Sequence, residues 1–502
     1  MLLAALLGVG ACAPLSTSGA SAPTAGLSAA ASAAPSATPL RSPPPLPFAV
    51  GEQRFNGARA KAHLDQLADP ARGGRMSGSP GYAEAAAYSA TRLAEAGFAP
   101  LGDEGTYLQK FRMPFVDLAA TPALELRGPL GRSYAHRREF TEIIGGRAGS
   151  GSVIGRIVFV GAAISTASYN DFAGVNVRGA VVLLFGGATG VDPLRNAIAE
   201  GAAGAIVIGT SGPFIKSSYI ARFESETVPT VLVTEAVADE LLAASGRRAG
   251  DLRRATAERV RAVSGQTAIS PQPSLSFEAG VTIHLAVPLV PVREIEAANV
   301  VGILHGTDPE AARRAVVVGG HLDGVGTDPE GTVFPAANDN ASGPAIALEL
   351  ARALRETKAD LRRSVIVVLF AGEEQGLLGS RAFLERMSGT PWAAGNLVAF
   401  LNLDVVGCCG ATLSASDEDG ALADRVRGAA EREGIPFRTG FRGSSDQVSF
   451  ARQRVPAVMI AWADSGALHT TRDTASTVDA AHLGDAGRVA LAVIRELAAE
   501  GR

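Results

Sequence analysis

Cysteine is nearly absent from this chain: three occur in 502 residues, at Cys12, Cys408 and Cys409. Three cannot make a disulfide framework. The last two are adjacent, a strained geometry for a bridge, and read most simply as two small buried thiols. Net charge is equally scarce, at −4 from 46 Lys+Arg against 50 Asp+Glu. With no long Lys/Arg run, the sequence lacks the electrostatic footprint of a nucleic-acid binder. The apolar run at the start, MLLAALLGVG, is too short to span a bilayer as a helix. What remains is an ordinary globular composition, 47% hydrophobic and 19% charged, over a length that should divide into about two or three folded units.

The opening run ends in Val9-Gly10-Ala11-Cys12 and resembles the lipobox of a bacterial lipoprotein signal, although no Lys or Arg precedes it. That resemblance implies a signal segment over 1–12, lipidation at Cys12, and an exported protein: a periplasmic or cell-envelope lipoprotein, or a secreted one. Membrane contact is then expected only through the lipid. Residues 13–50 are almost wholly Ala, Ser, Thr, Pro and Gly. They cannot bury enough apolar surface to offset their ordering entropy, so they are expected to form a disordered tether.

Folded sequence is expected from about Arg54. In NGARAKAHLDQLADP the apolar residues recur at helical spacing, and Pro70 is a stop. His63 and Asp65 lie two apart on that helix, point about 200° away from each other, and cannot converge on one ligand. His63 therefore reads as a helix-surface or satisfied core histidine. From 116 to 270 the texture changes to short β-branched runs such as SVIGRIVFVG, RGAVVLLFGG and AGAIVIGT. No His, Cys or paired carboxylates stand at ligand spacing there.

Beyond 271 the apolar strands NVVGIL, AVVVGG, SVIVVLF, NLVAFLNLDVV and PAVMIAWA alternate with amphipathic helical segments. This pattern predicts an α/β fold: a mixed, mostly parallel sheet with helices on both faces, whose site gathers at the C-terminal ends of the strands. The acids and histidines fall at that edge. His321 and Asp323 follow AVVVGG, Asp339 lies in the loop ANDNASG, and Glu373 and Glu374 follow VIVVLFAG. Asp404 ends VAFLNLD, and His469 and Asp473 follow VMIAWA. Taken singly, Asp339 would read as a helix cap and His469 as structural. Together, two imidazoles among several carboxylates call for positive charge, and a His/Asp/Glu set without thiolate fits zinc, with manganese or cobalt behind it.

GGHLDGVG, ANDNASG, FAGEEQGLLGS, LNLDVVG and LHTTRDT, in that order, resemble the five motifs of the M28 family of zinc aminopeptidases. The loose pattern DFAGVNVRGAVVLLFGG…VPTVLVT resembles a protease-associated (PA) domain. The resemblance implies a zinc exopeptidase-like catalytic domain over 51–115 and 271–502, with a PA-like domain inserted at 116–270. It implies two Zn2+ ions: His321 and Asp404 on one, Glu374 and His469 on the other, and Asp339 bridging. Glu373 is then the general base. Asp323 would accept from the far nitrogen of His321, and Asp473 would support His469 similarly. Many members read Ser-Asp-His where this chain has GSSDQVSF, so Gln447 stands in the histidine's place and pocket chemistry is the point in question.

The implied activity is hydrolysis of the first peptide bond of peptides or proteins with a free N-terminus. A related zinc amide hydrolase such as a carboxypeptidase, a glutaminyl cyclase, or a non-catalytic surface binding protein are the alternatives. Retention of all five ligands and the base weighs against the last two.

Overall fold

The computed structural model describes residues 54–500, except 129–130, 167–168, 187–190, 210–213, 217–218, 220, 264–272, 357 and 464–465. The signal-type segment 1–12 with Cys12 and the tether 13–50 lie outside the described residues.

One nine-stranded sheet carries the acids and histidines. At its centre the strands Ser364–Phe370, Ala315–His321, Leu397–Leu403 and Ala457–Ala461 lie side by side and run parallel. On one side Arg293–Leu304 adds to Ser364–Phe370 antiparallel, and on the other Leu413–Ser416 adds antiparallel to Ala457–Ala461. The sheet is thus mixed: the four parallel strands that hold the site are flanked on each side by an antiparallel pairing.

Continuous valine and isoleucine give strands buried on both faces, and the period of two assigns alternate residues to separate cores. Val316 and Val318 join the core under the helices Gly57–Leu67, Ser342–Glu356 and Ala480–Ala499. Val317 faces the opposite core, where Phe370, Phe383, Phe400 and Phe450 cluster. Phe400 and Phe450 stack with ring centroids 4.1 Å apart, which seats the short helix Gln447–Arg452 on the sheet.

The β-branched middle of the chain forms a second nine-stranded sheet with its own cores. It is spliced between two paired strands of the first sheet: Leu108–Phe115 lies antiparallel to Arg293–Leu304, with Phe115 opposite Arg293. The chain therefore leaves and re-enters the first sheet at one point. The second sheet extends past residue 270, because Phe277–Val287 pairs with Gly151–Phe159 and Ala123–Arg127 within it. Alternation alone could not assign that strand to one sheet or the other.

Cys408 and Cys409 are not free thiols but a disulfide between neighbours. Cys409 takes a left-handed φ of 72° in the turn after the Asp404 strand, a conformation that local residue pattern does not announce. Among the described residues no helix is long and apolar enough to cross a membrane.

Candidate metal centre

The parallel strands end on one rim, and the rim holds the site. His321 is the last residue of its strand, Glu373 and Glu374 follow Phe370 by three and four positions, and Asp404 follows Leu403 directly. His469 comes from the loop after Ala457–Ala461, and Asp339 from the loop before Ser342–Glu356. Asp339 sits between the two histidines, with Oδ1 3.2 Å from His321 Nε2 and Oδ2 3.2 Å from His469 Nε2. Asp404 Oδ1 is 3.4 Å from His321 Nε2, and Glu374 Oε2 is 3.2 Å from His469 Nε2. The donors fall into two trios, His321/Asp339/Asp404 and Asp339/Glu374/His469, which share one carboxylate. Glu373 offers an oxygen to a third grouping with His321 and Glu374.

The backbone around these residues is held down group by group. At the end of Ser364–Phe370, three successive N–H groups donate to side chains: Ala371 to Asn299 Oδ1 (3.1 Å), Gly372 to Ser77 Oγ (2.8 Å) and Glu373 to Asp323 Oδ1 (3.3 Å). Each buried donor finds an acceptor, so the Glu373–Glu374 turn is fixed without a sheet partner. Asn340 Nδ2 donates to Leu403 O (2.8 Å) and Gly407 N–H to Asn338 Oδ1 (2.8 Å), which ties the Asp339 loop to the Asp404 turn. Gly320 is required here, because a Cβ at that position would collide with the Leu403 carbonyl oxygen.

Non-glycine residues with left-handed φ crowd the same rim: Ala336 (55°), Leu377 (60°), Val405 (56°) and His469 itself (58°). Each costs about 1–3 kcal/mol and persists only where the surroundings over-determine it.

The electrostatics favour positive charge at the two imidazoles. Burial pulls the His321 imidazole down, but Asp404 and Glu373 outweigh it and hold the ring well above its ordinary value. His469 behaves alike, burial being overcome by Glu374 and Asp339. Burial pushes Glu373 well up, against the pull of His321 and with the help of Glu374 and Asp446. Asp404 Oδ1 is buried and accepts no hydrogen bond among the described residues. A buried carboxylate oxygen without a hydrogen bond, beside one imidazole nitrogen and the shared carboxylate, fits divalent metal, with oxygen and nitrogen donors of the kind zinc takes. His321, Asp339 and Asp404 would hold one ion, and Asp339, Glu374 and His469 a second.

Two sequence expectations change in detail. His321 Nδ1 lies 3.1 Å from the Asp323 main-chain oxygen and 3.7 Å from its carboxylate, so the peptide carbonyl is the nearer orienting group. Asp473 does not brace His469. Its Oδ1 and Oδ2 accept from the N–H groups of Asn338 (2.7 Å) and Asp339 (3.0 Å), and it clamps the bridging residue's loop instead. Burial pushes the Asp473 carboxyl up to about 7 despite those two donors. Gln447 is fully buried and shares Asn402 Nδ2 (3.1 Å), so the departure at that position acts behind the Asp404 strand.

Sequence reasoning missed Arg75. It is completely buried, and its guanidinium donates to the carbonyls of Leu322 (2.9 Å), Leu67 (2.9 Å), Pro335 (2.9 Å) and Ala336 (2.7 Å). One side chain thus joins the loop after His321 to the loop before Asp339. An arginine in a Gly-rich turn carries no local sign of this, because three of its four acceptors are about 250 residues away. Asp446 was also missed; it is fully buried near the rim and burial pushes its carboxyl up to about 7. The second sheet is not wholly silent either, since His136 approaches Asp328 and Glu330.

A parallel α/β sheet that delivers paired His/carboxylate trios to its strand ends has the construction of a metal-dependent hydrolase. Residues 299–494 match the model of Peptidase family M28. A probable zinc metalloprotease of Pyrenophora teres f. teres is 38% identical over 117 residues, which cover 22% of this chain and 23% of that protein. A probable leucine aminopeptidase of Arthroderma benhamiae is 29% identical over 212 residues, 38% of this chain and 56% of that protein. The matches therefore span from a quarter to about half the length of these curated relatives. Among solved structures, an aminopeptidase from Aneurinibacillus sp. strain AM-1 superposes with a TM-score of 0.65 at 21% identity, covering 89% of this chain and 95% of that one. A zinc aminopeptidase from Bacillus subtilis gives 0.60 at 20% identity, covering 89% and 96%. At these identities the likeness is one of fold.

Proposed function

We propose that the protein is a zinc aminopeptidase that holds two ions and removes the N-terminal residue of peptides or proteins. The observation that carries the reading is Asp339, whose two oxygens each stand 3.2 Å from the Nε2 of a different histidine. A carboxylate divided in this way suits two ions better than one. Divalent metal bound there supplies Lewis acidity, making a water acidic enough to attack at neutral pH and drawing charge from a carbonyl oxygen.

The chain's own residues do the rest. Glu373 is left out of both trios, is poised on a turn with a fixed backbone, and has a raised proton affinity that suits a general base. It accepts the proton of the attacking water and returns it to the leaving amine. His321 is oriented through Nδ1 by Asp323, and Asp339 is held by the Asp473 clamp, so neither needs to reorganise during the reaction.

A panel of aminoacyl chromogenic amides, free and N-acetylated, assayed with and without chelator, tests the reading. Cleavage of the free amides only, abolished by chelator, is expected. Cleavage that survives N-acetylation would overturn the aminopeptidase assignment while sparing a hydrolase. Zinc-loaded protein that cleaves no amide would favour a binding protein.

The second sheet is proposed to be the PA-type insert, on the strength of the motif resemblance and of its splice point between Phe115 and Arg293. For the N-terminus, lipidation at Cys12 and export rest on the lipobox-like tetrapeptide and the tether-like composition behind it. Incorporation of a labelled fatty acid that persists in Cys12→Ser would refute the anchor.

A further inference from the structure

The second sheet reaches the candidate metal centre through one buried lysine. Lys216 comes from the stretch between Gly204–Ile208 and Phe223–Val233, two parallel neighbours in that sheet. Its side chain is completely buried, a rare state for lysine unless it is paired. Nζ stands 3.2 Å from Asp328 Oδ1 and donates to the Thr327 carbonyl at 3.2 Å. Both acceptors lie on the segment that follows His321 and Asp323. The main-chain N–H of the same lysine donates to the carbonyl of His469 at 2.9 Å.

One residue of the second sheet therefore grips both ends of the centre: the loop below His321 with its side chain, and the second histidine with its backbone. Arg137, also from that sheet, completes the joint. Its Nε and Nη2 take the two oxygens of Asp328 at 2.8 and 2.9 Å, and Nη1 donates to the Ile215 carbonyl at 3.2 Å, one residue before Lys216. The two cations neutralise Asp328, so the grouping of His136, Asp328 and Glu330 is a salt-bridged joint rather than a further metal site. His469 needs such a hold. A histidine with φ 58° is in a sparsely populated conformation, and its loop belongs to no regular element.

We propose that Lys216 is a positioning residue for His469, and that the second sheet serves the reaction by fixing this histidine rather than only by covering the site. The proposal rests on the reading of His469 as a metal ligand. Anchoring Nζ on Asp328 sets where the Lys216 peptide lies, and that peptide sets the carbonyl, and so the left-handed turn, of His469.

The test is Lys216→Met in the full chain, which keeps the aliphatic stem and leaves Asp328 paired with Arg137; Asp117, whose Oδ1 is 3.6 Å from Nζ, loses that cation but is part-exposed and keeps the Leu118 N–H donor at 2.9 Å. Leu285→Ala, in the core of the second sheet and away from the joint, is the comparator for lost stability alone. Zinc retention is followed during graded chelator competition, together with kcat and KM. Lys216→Met should release one of two ions at roughly 10–100-fold lower chelator activity, the scale of a lost group behind a metal ligand, and lower kcat more than KM. Lys216→Arg should recover part of both, while Leu285→Ala should lower the melting temperature with ion retention unchanged. If Lys216→Met holds both ions like the parent, or Leu285→Ala releases the ion equally, the positioning role is wrong. If the parent chain itself binds no zinc, the metal-centre reading fails first, and the two failures are thereby told apart.

Discussion

Arg75→Met perturbs the site without touching a proposed ligand, and its effect can be worked from the structure. The guanidinium makes four hydrogen bonds to main-chain carbonyls in three separate segments, all of them buried. At about 1.5 kcal/mol for each bond from a charged donor, the four are worth about 6 kcal/mol. Against this, the variant recovers the desolvation of a buried cation, a cost visible in the guanidinium's fall to about 10, with burial the main cause and Asp473 and Asp323 opposing it. Methionine also keeps most of the apolar stem contact. The net loss should be about 3–5 kcal/mol, the usual range when one side of a buried polar arrangement is removed. Urea titration of the metal-free chain, followed by circular dichroism, should show the midpoint falling by about 1 M, since the denaturant slope grows with chain size. The same variant should bind zinc more weakly, because the loops carrying Leu322 and Ala336 lose their common tie. A midpoint within about 0.2 M of the parent would refute the claim that Arg75 joins these loops.

Glu373→Gln should retain zinc nearly as the parent does and lose roughly two to four decades of turnover, checked by steady-state kinetics beside metal analysis; near-normal turnover removes Glu373 from the base role. His63 gives a pH prediction. Burial first, then Arg92 and Arg59, lower it to about 3, while its Nδ1 keeps a 2.7 Å contact with Tyr88 Oη. Below its unfolded value of 6.5 the unfolded chain takes up a proton that the folded chain refuses. Stability is therefore lost as pH falls, at up to about 1.4 kcal/mol per pH unit in that window. His63→Gln should flatten this acid slope in unfolding experiments and leave zinc retention unchanged; an unaltered slope would contradict the assignment.

What the sequence made legible, and what it did not, divides along physical lines. Residues placed by local pattern could be read: Val316 to Val318 as a strand buried on both faces, His321 and Asp404 at strand ends, Asp339 before a helix. His63 could be set apart from His321 because a helix sends positions two apart to different sides, and it proves to be a buried, hydrogen-bonded core histidine. Residues whose role lies in distant partners could not be read. Arg75 acts mainly on carbonyls about 250 positions away and the Lys216 side chain on groups about 110 away, and nothing at i±4 hints at them. Asp473 was recognised as belonging to the site but given the wrong neighbour, since its clamp on Asn338 and Asp339 depends on how two loops meet. The Phe277–Val287 strand was assigned short of its sheet for a related reason: alternation predicts a strand and is silent about its partner.

The central claim is that Asp339 is shared by two metal sites and that both are needed. It is tested most directly by adding zinc in steps to the metal-free full chain while hydrolysis of a free aminoacyl amide is recorded. Full activity should appear only as the second equivalent per chain binds, and Asp339→Asn should abolish that step. Full activity at one equivalent, unchanged by the second, would contradict the account.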